Sequence, residues 1–292
     1  MKTRVITAIV LLAVLAFVVW QIYTPALVLV VAFLSAVASN EIMKCAKIKN
    51  KFILVMGTAF SAIVPFFANE KCLEPFVSAE VFGKIIGAVP SVVFVIVLAL
   101  VFFLSMLRNY STTKFEDVTT AFFASVVVPY GFSIIVRLRD IGGENKQIGV
   151  YLIFYALICA LATDTGAQLT GMAIGKHKMC PNISPKKTIE GAVGGLVFSS
   201  ILNVCAVLLY NHFADEKIEK ALMIVLLCAS VFVSMLGMFG DLTASVLKRN
   251  FGVKDFGKIF PGHGGVMDRF DSSLFTLAAT YAISLVYFNS VM

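Results

Sequence analysis

Between Lys248 and Ser273 the chain reads KRNFGVKDFGKIFPGHGGVMDRFDSS, with five Lys or Arg, three Asp, one His and five Gly. Carboxylates hold Mg2+, and cations together with Mg2+ hold phosphates. Asp268, Asp271 and Ser272 follow at i, i+3, i+4. Gly262, Gly264 and Gly265 let backbone amides approach an anion, because no side chain covers them. No GxxxxGK[ST] occurs, so this is not a Walker A loop. Just upstream, Asp241, Ser245 and Lys248 recur at i, i+4, i+7 and share one helical face. A carboxylate two turns before the Lys248-Arg249 pair suits a metal ion held beside a phosphate.

Two further stretches carry chemistry. Asp164 lies inside an apolar run, where a carboxylate is costly without a partner or a wet cavity. With Gln168, Gly171 and Gly175 it forms one helix face, which reads as the wall of a polar cavity; an inter-helix hydrogen bond is the blander role. Next comes GKHKMCPNISPKKTIEG, in which Ser184, Lys186, Lys187 and Thr188 precede a helix start. Lysines and hydroxyls there suit a phosphate group, although a Lys run can also serve topology alone. His263 is expected to donate to phosphate or organise its loop. A phosphate monoester is already largely dianionic at neutral pH and needs no base.

The elements that position these groups are membrane helices. Of 292 residues 59% are hydrophobic and only 14% charged, where globular domains average about 25% charged. Nine apolar runs are candidate spans, roughly 5–22, 25–40, 52–68, 88–107, 119–136, 148–174, 191–211, 220–239 and 272–291. In lipid each must satisfy its own backbone, so the fold class is all-α and polytopic. Thr24-Pro25 predicts a tight turn between the first two. The first run is too long for a signal-peptide core and is read as an uncleaved span. With the N-terminus in the cytoplasm, 17 of the 24 Lys and Arg fall inside and 7 outside, which puts the Lys248–Ser273 stretch in the cytoplasm. The net charge of +7 then points to lipid headgroups or a phosphate ligand, not nucleic acid, since the cations sit in short interhelical loops. Six scattered cysteines show no CxxC pair and read as reduced and structural. Gly171-x-x-x-Gly175 and Gly191-x-x-x-Gly195 read as helix packing. The chain is read as one membrane domain, 1–292. Residues 1–147 contain no chemical constellation, and 148–292 carry the catalytic helices and loops.

Ser245 to Asp271 resembles the signature of the phosphatidate cytidylyltransferases, the CDP-diacylglycerol synthases. The matching positions are Ser245, Lys248-Arg249, Lys254-Asp255, Gly257, Pro261, His263-Gly264-Gly265, Asp268-Arg269 and Asp271. Asp164-Thr165-Gly166-Ala167, Ser184 to Gly191 and Gly240-Asp241-Leu242 resemble the same family, with a departure at Gln168-Leu169, where its pattern carries aromatic residues. The resemblance implies that CTP and phosphatidic acid react at the cytoplasmic face of a bacterial plasma membrane to give CDP-diacylglycerol and pyrophosphate. Asp241 and Asp268 are then expected to hold Mg2+ where the loop between them folds back, with Asp164 and Asp271 nearby. Lys248, Arg249, Lys186 and Lys187 would clamp phosphates, and the Gly264 and Gly265 amides would support the pyrophosphate. Arg269, Lys254, Ser184, Thr188 and Ser245 complete the expected site. The resemblance also implies a second metal ion and a homodimer in membrane lipid.

Other classes fit less well. A transporter of ions or phosphorylated solutes also places carboxylates in membrane helices, but has no need of a Gly-rich loop with Lys and Asp on one face. A CDP-alcohol phosphotransferase motif begins Asp-Gly, a pair absent from this chain.

Overall fold

The computed structural model of the chain describes residues 13, 16–68, 91–143, 146–262 and 264–291. Its helices are α1 (Pro25–Cys45), α2 (Lys51–Ile63) with a 3-10 turn (Val64–Phe67), α3 (Ser91–Arg108), α4 (Phe115–Asp140), α5 (Lys146–Ile174), α6 (Ile189–Phe213), α7 (Lys220–Asn250), α8 (Met267–Phe270) and α9 (Ser273–Val291). Two short strands, β1 (Lys178–Cys180) and β2 (Ser184–Thr188), stand between α5 and α6. Among the described residues, α1, α4, α5, α6 and α7 are long and apolar enough to cross a membrane, while Lys51–Phe67 and Val92–Arg108 are apolar but shorter. The chain is an all-α polytopic membrane protein. Of the nine expected spans, the first lies mostly outside the described residues. The third folds only as α2 and its 3-10 turn. At Val64-Pro65, where the proline supplies no N–H, α geometry gives way to the 3-10 turn, and α2 itself is about 20 Å long.

The chain forms two compact units, residues 1–137 with 253–269, and residues 138–252 with 270–292. In the first unit Thr24 caps α1, its side chain accepting from Ala26 N, with Pro25 in the first turn. Asn50 caps α2 through Phe52 and Ile53 N–H, and its amide donates to Ser105 Oγ and Thr113 Oγ1, both at 3.0 Å. Val28, Ala38, Ile42, Met43, Ile53, Phe102 and Phe132 fill the core of this unit.

In the second unit α6 is polarised opposite to a helix in a water-soluble protein. Gly191, Gly195, Ser199, Asn203 and Val207 recur every four residues and are buried. Val193, Val197, Ile201 and Leu208 point outward and are more than half exposed. Small residues inside and large apolar ones outside are what lipid selects. The expected glycine packing is present. A Cβ on Gly195 would fall 2.5 Å from the Thr163 carbonyl oxygen on α5, and one on Gly191 2.7 Å from that of Ala167. This interlock fixes Asp164, on α5, against the helix that β2 feeds. Gly195→Ala is therefore expected to cost ~1–3 kcal/mol of stability by forcing the helices apart. The check is a lowered thermal midpoint and folded yield in detergent.

Candidate active site

Asp241 and Lys248 lie two turns apart on α7, with Ser245 half-buried between them. Asp241 is ion-paired with Lys187 of β2. Lys248 Nζ stands 3.7 Å from Asp271 Oδ2 in the turn before α9. Ser272 Oγ donates to Asp164 Oδ2 at 3.2 Å. The second unit thus gathers three carboxylates and two lysines from α5, β2, α7 and the α9 approach. Burial first, then the charge of Asp241, push the Asp271 carboxyl up to about 7; Lys248 and the Ser272 amide pull it down, and Asp164 adds a smaller upward push.

Lys187 is aimed by a hairpin that the sequence did not announce. β1 and β2 pair antiparallel, with Lys178 opposite Thr188 and Cys180 opposite Ser184. Glu190 clasps its base, accepting the Lys176 and His177 N–H groups at 3.1 Å and lying 2.5 Å from His177 Nδ1. Along β2 Lys186 is exposed, Lys187 half-buried and Thr188 buried. Thr188, expected to meet phosphate, caps α6 instead, accepting Gly191 N–H at 3.1 Å. Ser184 is half-buried on β2, and exposed Arg249 donates through Nε to the Ile183 carbonyl at 3.5 Å.

Among the described residues no group of three or more His, Cys, Asp or Glu side chains is arranged as a metal cage. The residues nevertheless fit an ion brought by its substrate. Mg2+ usually takes one or two carboxylates plus phosphate oxygens. Burial first, and then the neighbouring charges of Asp241 and Asp164, raise the Asp271 carboxyl, and the charge crowding is the part that an added cation relieves.

The first unit holds the Gly-rich loop. Asp268 Oδ2 accepts three backbone N–H groups, from Phe256 at 2.8 Å, Gly265 at 3.0 Å and Gly257 at 3.4 Å. Phe260 N–H donates to the Gly264 carbonyl at 2.9 Å, closing the tip. Gly262 and Gly264 have φ of +79° and +84°, a backbone that glycine adopts without strain. A cavity of about 600 Å³ opens on this loop, lined by Lys254, Lys258, Pro261, Gly262, Gly264 and Arg269 among others. The expected site residues Lys254, Gly264 and Arg269 therefore come together. Gly265 is buried and its amide goes to Asp268, whereas it was expected to face pyrophosphate. His263 lies outside the described residues. A second cavity of about 480 Å³, between α1 and α2, has Asn40, Lys44, Lys51 and Thr58 as its polar lining but no carboxylate, and is not a candidate for this chemistry.

Sequence reasoning missed Glu41. This buried residue of α1 accepts Val266 N–H at 3.1 Å and Met267 N–H at 3.0 Å. Four residues on, Cys45 Sγ lies 3.0 Å from the Phe256 carbonyl oxygen. The available signal was weak, a carboxylate at the end of an apolar run and just before a Lys-rich loop.

The model of the cytidylyltransferase family matches residues 2–287. A phosphatidate cytidylyltransferase of Bacillus subtilis (strain 168) is 31% identical over 287 residues, which covers 98% of each chain. Namesakes from Staphylococcus saprophyticus and Staphylococcus aureus (strain COL) are 45% and 47% identical over 134 residues, 46% of this chain and 49% of theirs. A likeness that takes in the helices, the hairpin and the loop together makes the chain an enzyme of the cytidylyltransferase family.

Proposed function

We propose the following division of labour for the reaction this enzyme catalyses, the transfer of CMP from CTP to phosphatidic acid with release of pyrophosphate. The observation that carries it is the paired arrangement of Lys187 with Asp241 and Lys248 with Asp271 inside a membrane-spanning unit. A phosphatidate oxygen attacks the α-phosphorus of CTP. The new P–O bond forms as the bond to the bridging oxygen breaks, and pyrophosphate leaves with that electron pair. The attacking oxygen is already ionised, so the protein's task is placement and charge neutralisation. On the second unit, Lys187 and Lys248 exchange their carboxylates for phosphate oxygens, with Arg249 at the rim. Asp241, with Asp271 and Asp164, would hold Mg2+, and the same set leaves donors for a second ion. Bound there, Mg2+ supplies charge neutralisation and Lewis acidity at phosphate oxygens. On the first unit, Lys254, Lys258 and Arg269 offer charge to phosphates and the Gly264 region offers backbone. Asp268, also expected to hold the ion, acts here by shaping its loop.

The Lys and Arg asymmetry supports a site facing the cytoplasm, where CTP is dissolved while phosphatidic acid stays in the bilayer. We read the chain as one membrane-embedded domain of a bacterial plasma membrane, working as a homodimer. Nothing among the described residues favours a transporter. The test is purified full-length protein with phosphatidic acid, Mg2+ and labelled CTP. A lipid-soluble cytidine product is expected, and its absence would sink the reading. Lys187→Gln should lower kcat/KM for CTP on the order of 100-fold, as removal of a preorganised charge-stabilising donor does. Lys186→Gln, on the outer side of the hairpin, should fall far less. Normal apparent affinities for both substrates when both lysines are replaced by Gln would show that they serve topology only.

A further inference from the structure

Glu41 makes an unusual set of contacts for a carboxylate in a membrane helix. It receives two consecutive amides of the Gly-rich loop, one on each oxygen, and both come from a segment more than 200 residues away. The loop is shaped around it. A Cβ on Gly257 would fall 1.9 Å from Glu41 Oε1, and one on Gly265 2.3 Å from the same atom. At those two positions a larger residue would push against the Glu41 carboxylate, so the glycines leave it its place beside the loop. Asp268 grips the loop too, through the Phe256, Gly257 and Gly265 amides. The amides of Phe256, Gly257, Gly265, Val266 and Met267 are thus held by two carboxylates, one supplied from within the loop and one from the first transmembrane stretch described.

We propose that Glu41 is a positioning residue for nucleotidyl transfer, acting through the Val266 and Met267 amides to hold the Gly-rich loop in the shape that receives the phosphates of CTP. The proposal rests on the reading that this loop, with Lys254, Lys258 and Arg269 around its cavity, binds the nucleotide. A carboxylate suits the task because it accepts on both oxygens at once, and charge-assisted bonds are the stronger ones. Gln keeps the shape but turns an NH2 group toward one of the two N–H donors. The loop should then lose one anchor while α1 stays packed.

The experiment compares full-length wild type and Glu41→Gln in the same detergent, with CTP and phosphatidic acid varied separately. Supporting residues of this kind typically change affinity or activity by about 10- to 100-fold. Glu41→Gln is expected to raise the KM for CTP by about that factor, with the KM for phosphatidic acid and the thermal midpoint close to wild type. Gly257→Ala, which crowds Glu41 from the loop side, should reproduce the split. If Glu41→Gln folds poorly, Glu41→Asp, which keeps the charge one methylene short, should fold and show an intermediate CTP KM. Equal rises in both KM values, or losses that follow only the folded fraction, would assign Glu41 to stability alone. Unchanged constants would overturn the proposal outright. A wild type that makes no CDP-diacylglycerol would instead remove the functional reading beneath it.

Discussion

Asp241→Asn is expected to fold and to lose turnover on the order of 100- to 1,000-fold, the range seen when one preorganised charge partner leaves an active site. Asn keeps the size of Asp and removes its charge. In the present arrangement that charge does two things: it pairs with Lys187 and it raises the Asp271 carboxyl. The substitution therefore leaves Lys187 without its carboxylate and lets the Asp271 carboxyl fall from about 7 toward its ordinary range. The measurement is CDP-diacylglycerol formation across a Mg2+ titration, with the thermal midpoint as the check on folding. The activity of wild type should also vanish in EDTA and return with Mg2+. Near-normal, Mg2+-dependent turnover by Asp241→Asn would remove Asp241 from the metal site.

Asp268→Asn should be as damaging for a different reason. Its Oδ2 is the shared acceptor for the Phe256, Gly257 and Gly265 amides, and buried amides left without an acceptor cost about 1–3 kcal/mol each. Asn presents one oxygen of lower charge, and its NH2 repels any amide it faces. We expect a turnover loss on the order of 100-fold together with new proteolytic cleavage between Val253 and Val266, while α5, α6 and α7 stay protected. Glu should not rescue, because its extra methylene displaces the carboxylate from the three amides that Asp268 Oδ2 meets at 2.8–3.4 Å. Wild-type turnover with an uncut loop would refute the structural duty assigned to Asp268.

Much of this was legible in the residues. Apolar runs foretold the helices because lipid leaves the backbone no other way to bond, and Thr24-Pro25 marked where α1 begins. The i, i+7 spacing of Asp241 and Lys248 put both on one face of α7 before any coordinates were needed. What sequence could not give was pairing across distance. Lys187 and Asp241 are 54 positions apart in the chain, and no local pattern joins them. The β1–β2 hairpin was hidden because strands of three and five residues, interrupted by prolines, are too short to show alternation. The third span keeps its expected extent as Lys51–Phe67, but hydropathy does not register its change from α to 3-10 geometry at Val64-Pro65. Glu41 was passed over because it borders a Lys-rich loop and so resembled an ordinary helix flank. Its partners lie 225 and 226 residues further on.

That separation matters while the protein is being made. A ribosome adding 5–20 residues per second reaches Val266 about 10 to 45 s after it has placed Glu41. Throughout that interval α1 holds, at the edge of the bilayer, a carboxylate whose two amides do not yet exist. A nascent chain released before Val253 never acquires them and keeps at the membrane edge an acid without those two amides. The packing of the first half is thereby completed only by residues near the end of the chain.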